Sequence, residues 1–194
     1  METILFGFGR AGLIHYKNML NHKDLKLSYV VEAVDISSKL ADGIQYVNVN
    51  DHQQVEQILS DSKIKAVIIA SPTKTHYELV MKSLSYHKHV FIEKPLVDEL
   101  EQINNCFDLA EKNNLILSVG YNRRYDPTIQ QIKSRIDAQE IGPVKYALTI
   151  SRDYPYPEEK FLKICSGIFH DCATHDIDYL NWILQDKPIS VSVS

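Results

Sequence analysis

Thr3-Ile4-Leu5-Phe6-Gly7-Phe8-Gly9-Arg10-Ala11-Gly12 is the stretch from which the fold is read. A short apolar run meets Gly-x-Gly-x-x-Gly at once. A helical pattern follows through Leu13, Tyr16, Lys17 and Leu20. The order is strand, tight turn, helix. Gly7 permits the turn, Gly9 lets a pyrophosphate approach the backbone, and Gly12 lets the helix pack close on the strand. The bare amides and positive dipole end of such a helix favour an anion. Glycine triplets also serve ordinary turns, so the flanking strand and helix give this one its weight.

The second strand is read in Leu25-Lys26-Leu27-Ser28-Tyr29-Val30-Val31-Glu32, with Glu32 placed 20 positions after Gly12. An acid there accepts hydrogen bonds from the adenosine ribose of NAD and repels the extra phosphate of NADP. Asp35 is the alternative if the strand runs longer, and a solvated acid at a strand end is the plain one. Lys39 nearby keeps NADP use open.

The alternation continues. Ile44 to Val47 is a weak third strand, and Asp51 caps a helix with Val55, Ile58 and Leu59. Lys65 to Ala70 is a buried strand that ends at Ser71-Pro72-Thr73, where a doubly wound sheet places ligand contacts. Thr75-x-x-Glu78 reads as a capping box. His89 to Ile92 is a strand ending in Glu93-Lys94-Pro95. Asp98-x-x-Glu101 opens a helix with Leu100, Ile103, Phe107 and Ala110 on one face. Leu115 to Val119 closes the series. The fold class is α/β, a Rossmann-type doubly wound parallel sheet over residues 1–120. An incomplete α/β (α+β) part follows over 121–194. It has a helix through Ile129, Ile132 and Ile136, and a strand from Val144 to Ile150 after Gly142-Pro143. A second helix runs from Asp171 to Leu184, burying Ile177, Leu180, Ile183 and Leu184, and a strand runs from Ile189 to Val193.

The totals narrow the class. With 194 residues, 44% hydrophobic and 24% charged, the chain has an ordinary globular composition. A formal charge of −4 makes neither nucleic acid nor an acidic membrane an expected partner. Cys106, Cys165 and Cys172 are odd in number and widely spaced, which fits a reducing compartment. No apolar run is long enough to span a bilayer. Met1 leads straight into a strand, so a cytoplasmic location without a signal peptide is expected.

Two features carry chemistry. Lys94 ends a sheet strand beside the expected nicotinamide end of the cleft. Asp171 and His175 are four apart, so on a helix they share a face. Histidine suits removal of a hydroxyl proton, and a neighbouring carboxylate favours the imidazolium that forms. Singly, each residue has a plain reading as a surface cation or helix histidine. Cys165, His170, Cys172 and His175 are of metal-ligating types, but their spacing is not that of a paired zinc site, and no metal is expected. His15, His76 and His87 show no recognisable spacing and read as surface or helix-lining. Cys106 reads as a small core residue.

Several motifs together resemble one family, that of glucose–fructose oxidoreductase, inositol dehydrogenase and the rhizopine catabolism protein (Gfo/Idh/MocA). They are Gly7-Phe8-Gly9-Arg10-Ala11-Gly12, Ala70-Ser71-Pro72-Thr73-x-x-His76, Glu93-Lys94-Pro95-Leu96 and Gly120-Tyr121-Asn122-Arg123-Arg124-Tyr125-Asp126-Pro127. The last is Ser166-Gly167-Ile168-Phe169-His170-Asp171-x-x-x-His175-Asp176-x-Asp178. The resemblance runs through the whole chain and looks nearest to inositol 2-dehydrogenase-like members. It implies a Rossmann domain, then an α/β domain whose open sheet often mediates homo-oligomers. It implies Lys94, Asp171 and His175 as the catalytic lysine, aspartate and histidine. It also implies cofactor contacts at Gly7, Phe8, Gly9, Arg10, Ala11, Gly12, Ser71, Pro72, Thr73, His76, Glu93 and Lys94. The expected activity is NAD(P)-dependent oxidation of a secondary hydroxyl on a cyclitol, sugar or sugar derivative. The shared motifs leave the substrate open. Family members usually run much longer, so the sequence reads as a fragment or a naturally shortened relative. The rival reading is a dinucleotide-binding module or subunit without turnover.

Overall fold

The computed structural model describes residues 1–152, 154–162 and 167–192, with residues 160, 161 and 170 described by backbone alone. Cys165, Ser166, Val193 and the His170 side chain therefore lie outside the described parts. The chain divides into two compact units, Met1–Gly120 and Tyr121–Ser194.

The first unit is built on six strands: β1 (Glu2–Phe6), β2 (Lys26–Glu32), β3 (Gln45–Asn48), β4 (Ile64–Ile69), β5 (His89–Ile92) and β6 (Leu117–Val119). Every pairing is parallel, in the order β3-β2-β1-β4-β5-β6. This is a Rossmann-like sheet, and strand order reverses between β1 and β4. Phe6 pairs with Val31 on one side and Ile69 on the other. The glycine turn after Phe6 therefore leaves the sheet at the reversal point.

Four helices, α1 (Arg10–Leu20), α2 (His52–Ser60), α3 (His76–Ser85) and α4 (Leu100–Lys112), connect the strands. Period-two alternation sorts the core into two layers. Ile4, Phe6, Val67 and Ile69 join Val55 and Ile58 of α2, Val80 and Leu84 of α3, and Cys106 and Ala110 of α4. Leu5, Val30 and Ile68 point the other way, onto Tyr16 and Met19 of α1. Each fully buried aliphatic side chain contributes about 1.5–3 kcal/mol of transfer free energy.

Local signals hold in part. Asp51 caps α2 by accepting from the Gln54 amide at 3.0 Å. The capping box expected at Thr75 does not form. The Thr75 hydroxyl instead donates to the Pro72 carbonyl at 2.8 Å and sits 2.7 Å from Ser71 Oγ. α4 begins at Leu100 with Glu99 as N-cap, later than the Asp98 start. Its buried face runs through Ile103, Cys106 and Ala110, while Leu100 and Phe107 are exposed. The helix thus turns the small Cys106, not Phe107, onto the sheet.

The second unit holds α5 (Pro127–Asp137), α6 (Glu159–Leu162), a π-helical turn (Phe169–Ala173) and α7 (Thr174–Leu184). Asp126 caps α5 through the Thr128 and Ile129 amides at 2.8 and 3.3 Å, with Pro127 in the first turn. Lys133 is buried, bonded to Asp137 at 2.7 Å, its ammonium 5.8 Å from the Trp182 ring centre. Two strand expectations fail: no strand forms over 144–150 or over 189–192. An extended segment becomes a strand only when a neighbour satisfies its amides and carbonyls, and among the described residues none pairs with these. On α7, Ile183 is buried but Ile177 is exposed, unlike the expected core face. No described helix is long and apolar enough to cross a membrane.

Candidate functional site

In the first unit the glycine turn and the ends of β2, β4 and β5 make one constellation. Gly7 has φ +92°, and a Cβ there would lie 2.5 Å from the Ala70 carbonyl oxygen. Gly12 is closer still: its Cβ would lie 2.1 Å from the Gly7 carbonyl oxygen. Gly12 thus seats α1 on the turn itself. Gly9 is different, because a Cβ there would meet nothing within 4 Å. Packing does not require that glycine; the space in front of it is open. α1 starts at Arg10 with no side-chain cap and no acid in its first turn. Its leading amides, Arg10 and Ala11 among them, remain donors for an anion.

Glu32 closes this end. One carboxylate oxygen accepts from the Phe8 amide at 2.6 Å and the other from the Ala33 amide at 2.7 Å. The acid is therefore anchored beside the glycine turn. Asp35 instead accepts from the Ser37 amide at 2.8 Å, which holds its carboxyl below the ordinary range. Of the two acids, Glu32 is the one that touches the turn. An anchored acid, uncapped amides and an open Gly9 fit a dinucleotide.

The β4 and β5 ends carry the Ser71-Pro72-Thr73 loop and the Glu93-Lys94-Pro95 loop, whose Lys94–Pro95 peptide is cis. Glu93 Oε1 lies 2.6 Å from Nε2 of His15 on α1, and the His15 ring meets Phe91 edge-on at 5.3 Å. Burial works to raise the Glu93 carboxyl, but the His15 bond and charge, with Lys94, bring it below the ordinary range. His76 is 1% exposed, with its ring among backbone carbonyls. The reading of His15 and His76 as surface or helix-lining residues is corrected: each joins two elements.

In the second unit Asp171 and Cys172 lie in the π-helical turn and His175 in the first turn of α7. Such turns recur at functional sites. Both Asp171 and His175 are half-buried. The Tyr121 ring stands edge-on to His175, centroids 6.2 Å apart, and its hydroxyl lies 3.4 Å from Thr174 Oγ1. Arg124 grips Asp178 with a two-pronged fork, Nε to Oδ2 at 2.8 Å and Nη2 to Oδ1 at 2.5 Å. That bond to Asp178 pushes the guanidinium pKa up. The fork ties the segment after Gly120 to α7, and the sequence reading had no role for it. A cavity of about 500 Å³ is lined by Ser151, Arg152, Tyr156, Asp171, Cys172 and Asp176 among others. Among the described residues no three His, Cys, Asp or Glu side chains gather as metal ligands.

Residues 1–121 match the Gfo/Idh/MocA family model, described as an oxidoreductase family with an NAD-binding Rossmann fold. Residues 129–194 match the C-terminal domain of the same family. The chain belongs to this family. It is 34% identical over 198 residues to scyllo-inositol 2-dehydrogenase (NAD(+)) of Bacillus subtilis, covering 99% of this chain and 56% of that protein. Over 190 residues it is 31% identical to inositol 2-dehydrogenase of Rhizobium meliloti, covering 98% of this chain and 57% of that protein. The crystal structure of scyllo-inositol dehydrogenase from Lactobacillus casei, with bound NAD(H) and scyllo-inositol, superposes with a TM-score of 0.79. That pair is 25% identical, covering 95% of this chain and 56% of the other. The chain thus spans little more than half the length of these relatives.

Proposed function

We propose that this chain carries the NAD site and the acid–base residues of a dehydrogenase acting on a secondary hydroxyl of a cyclitol or related polyol. The observation that carries the reading is Glu32, fixed on the Phe8 amide beside an open Gly9. The uncapped start of α1 receives the pyrophosphate. Glu32 accepts from ribose hydroxyls, and its charge disfavours a ribose phosphate. The similarity to inositol dehydrogenases supports the polyol class.

NAD, when bound, supplies the hydride acceptor. The other roles follow from the motif match. His175 takes the hydroxyl proton as the carbon is oxidised, with Tyr121 packed on its ring. Asp171 orients the hydroxyl and favours the protonated imidazole. Lys94 polarises the reacting oxygen. Residues 1–120 are the cofactor domain and 121–194 the substrate-binding part.

NAD and NADP titrations against wild type, Gly9→Ala and Glu32→Ala test the cofactor site. NAD should bind tighter than NADP. Gly9→Ala should lose NAD while keeping its melting temperature, and Glu32→Ala should narrow the preference. Tighter NADP binding by wild type overturns the Glu32 role. A screen of polyols read at the nicotinamide absorbance tests the activity. Where wild type turns over, His175→Ala and Lys94→Ala should each lose about 10²- to 10⁴-fold in rate with NAD binding kept. NAD binding without turnover of any polyol favours a binding module.

A further inference from the structure

His76 is the first residue of α3, directly after the β4 loop. Its Nδ1 lies 2.8 Å from the Pro95 carbonyl oxygen and 3.2 Å from that of Leu96. Its Nε2 lies 2.9 Å from the Ser71 carbonyl oxygen. Carbonyls only accept hydrogen bonds, so the ring is the donor in these contacts. One buried ring thus spans the loop that ends β4 and the loop that ends β5.

Both loops are otherwise well anchored on their far sides. Ser71 Oγ lies 2.7 Å from Thr75 Oγ1, and the Thr75 hydroxyl donates to the Pro72 carbonyl at 2.8 Å. Leu96 and Val97 are buried in the main core. Glu93 is held by its amide, which donates to the Ile69 carbonyl at 2.9 Å, and by His15. Lys94 therefore sits on a short arch. One foot, Glu93, is pinned by His15, and the other, Pro95–Leu96, is pinned by His76.

We infer that His76 is a positioning residue that fixes the backbone of Lys94 relative to the Ser71-Pro72-Thr73 loop. Its ring nitrogens face backbone carbonyls, so its part in the cofactor site is indirect. The functional value of the clamp rests on the reading of Lys94 as the site lysine; the clamp itself does not. A ring wedged between two loops lets neither drift without opening a buried polar contact, which costs more than the bond returns in water. Two loops that must present groups to one ligand gain from that rigidity.

Two amide side chains separate the halves of the clamp. Asparagine places its amide where Nδ1 stands and reaches the Pro95 side. Glutamine places its amide nearer Nε2 and reaches the Ser71 side. The experiment is amide hydrogen exchange, resolved along the chain, on wild type, His76→Ala, His76→Asn and His76→Gln. In His76→Ala, residues 71–76 and 93–97 should both exchange about tenfold faster, the scale of one or two lost hydrogen bonds. His76→Asn should restore 93–97 alone, and His76→Gln 71–76 alone. Strands β1 and β4 should keep their wild-type rates throughout. An equal rise over the whole sheet, or no difference between the Asn and Gln variants, overturns the inference. NAD affinity, measured on the same four proteins, is the separate arm. His76→Asn should bind NAD more tightly than His76→Ala, and equal affinities in these two remove the link to the cofactor site. Absence of NAD binding in wild type overturns the proposed function, while the exchange pattern still decides the clamp.

Discussion

The two units of this chain use similar stretches of sequence in opposite ways. In Met1–Gly120, apolar runs such as Ala66 to Ile69 find parallel neighbours on both sides and vanish into the core. In Tyr121–Ser194, the alternating runs over 144–150 and 189–192 find none among the described residues. Tyr146 is 79% exposed and Ile189 is 101% exposed. Propensity for the extended state is present in both; a hydrogen-bonding partner is present in one. A strand is therefore a property of a pair. The helices of the second unit escape this limit because their backbone bonds are internal.

The widest gap this contrast predicts is in hydrogen exchange. Strand amides of β1 and β4 open only with the unit as a whole, so they should be protected by about 10³-fold or more. Residues 144–150 and 189–192 should exchange near the free-peptide rate. The exposed Tyr146, Leu148, Ile150 and Val191 should also make the 194-residue chain associate as concentration rises. Strong protection of 144–150 in a clean monomer would break the comparison.

The same contrast explains what was legible in the sequence. The parallel sheet could be read because each β-α-β passage closes within a few dozen residues and carries its own punctuation: Gly7, Asp51, Pro72 and Pro95. Glu32 could be placed by counting from Gly12, since one helix and one strand span a set length. Side-chain contacts across loops could not be read that way. His15–Glu93 and the His76 contacts to Pro95 and Leu96 join residues 78 and about 20 positions apart, and nothing local marks them. The Arg124–Asp178 fork, 54 positions apart, was hidden for the same reason, although both residues stand inside quoted motifs. The strand readings failed over 144–150 and over the described residues 189–192 because alternation reports a face that could be buried, not a neighbour that buries it.

A middle-sized effect comes from glycine. Gly12→Ala drives a Cβ to 2.1 Å from the Gly7 carbonyl oxygen, so backbone must move. Overpacking and backbone strain together should cost about 2–6 kcal/mol, which lowers the melting temperature of the first unit by about 10 °C or more. Gly142→Ala in the second unit meets nothing within 4 Å and carries only its φ of +69°. Its cost should stay near about 1–2 kcal/mol. Separate melting curves, read by hydrogen exchange in β4 and by fluorescence of Trp182, the one tryptophan, compare the units. Equal losses in both would mean the turn is looser than its geometry.

The smallest effect is acidic. In the folded chain the Glu93 carboxyl lies below its ordinary value of 4.5, with burial opposing and His15 and Lys94 favouring ionisation. A carboxyl lowered by folding adds stability that is complete above its unfolded value and disappears as pH falls through the folded one. The window for Glu93 is therefore from about pH 5 downward. Its side chain is 26% exposed and its partner 22%, so solvent screens the pair. A contribution of about 0.5–1 kcal/mol is the right scale. Urea unfolding of the first unit at pH 7 and at pH 3.5 should show a larger loss for wild type than for His15→Ala. The gap between the two proteins should close at the lower pH, because the His15–Glu93 bond, absent from His15→Ala at any pH, is lost there in wild type too. Trp182 should report the same acid response in both proteins, since neither group of the pair belongs to its unit. A wild-type loss no greater than that of His15→Ala would show that the α1 contact leaves the Glu93 carboxyl unchanged, and that this foot of the Lys94 arch rests on the Glu93 amide bond to the Ile69 carbonyl.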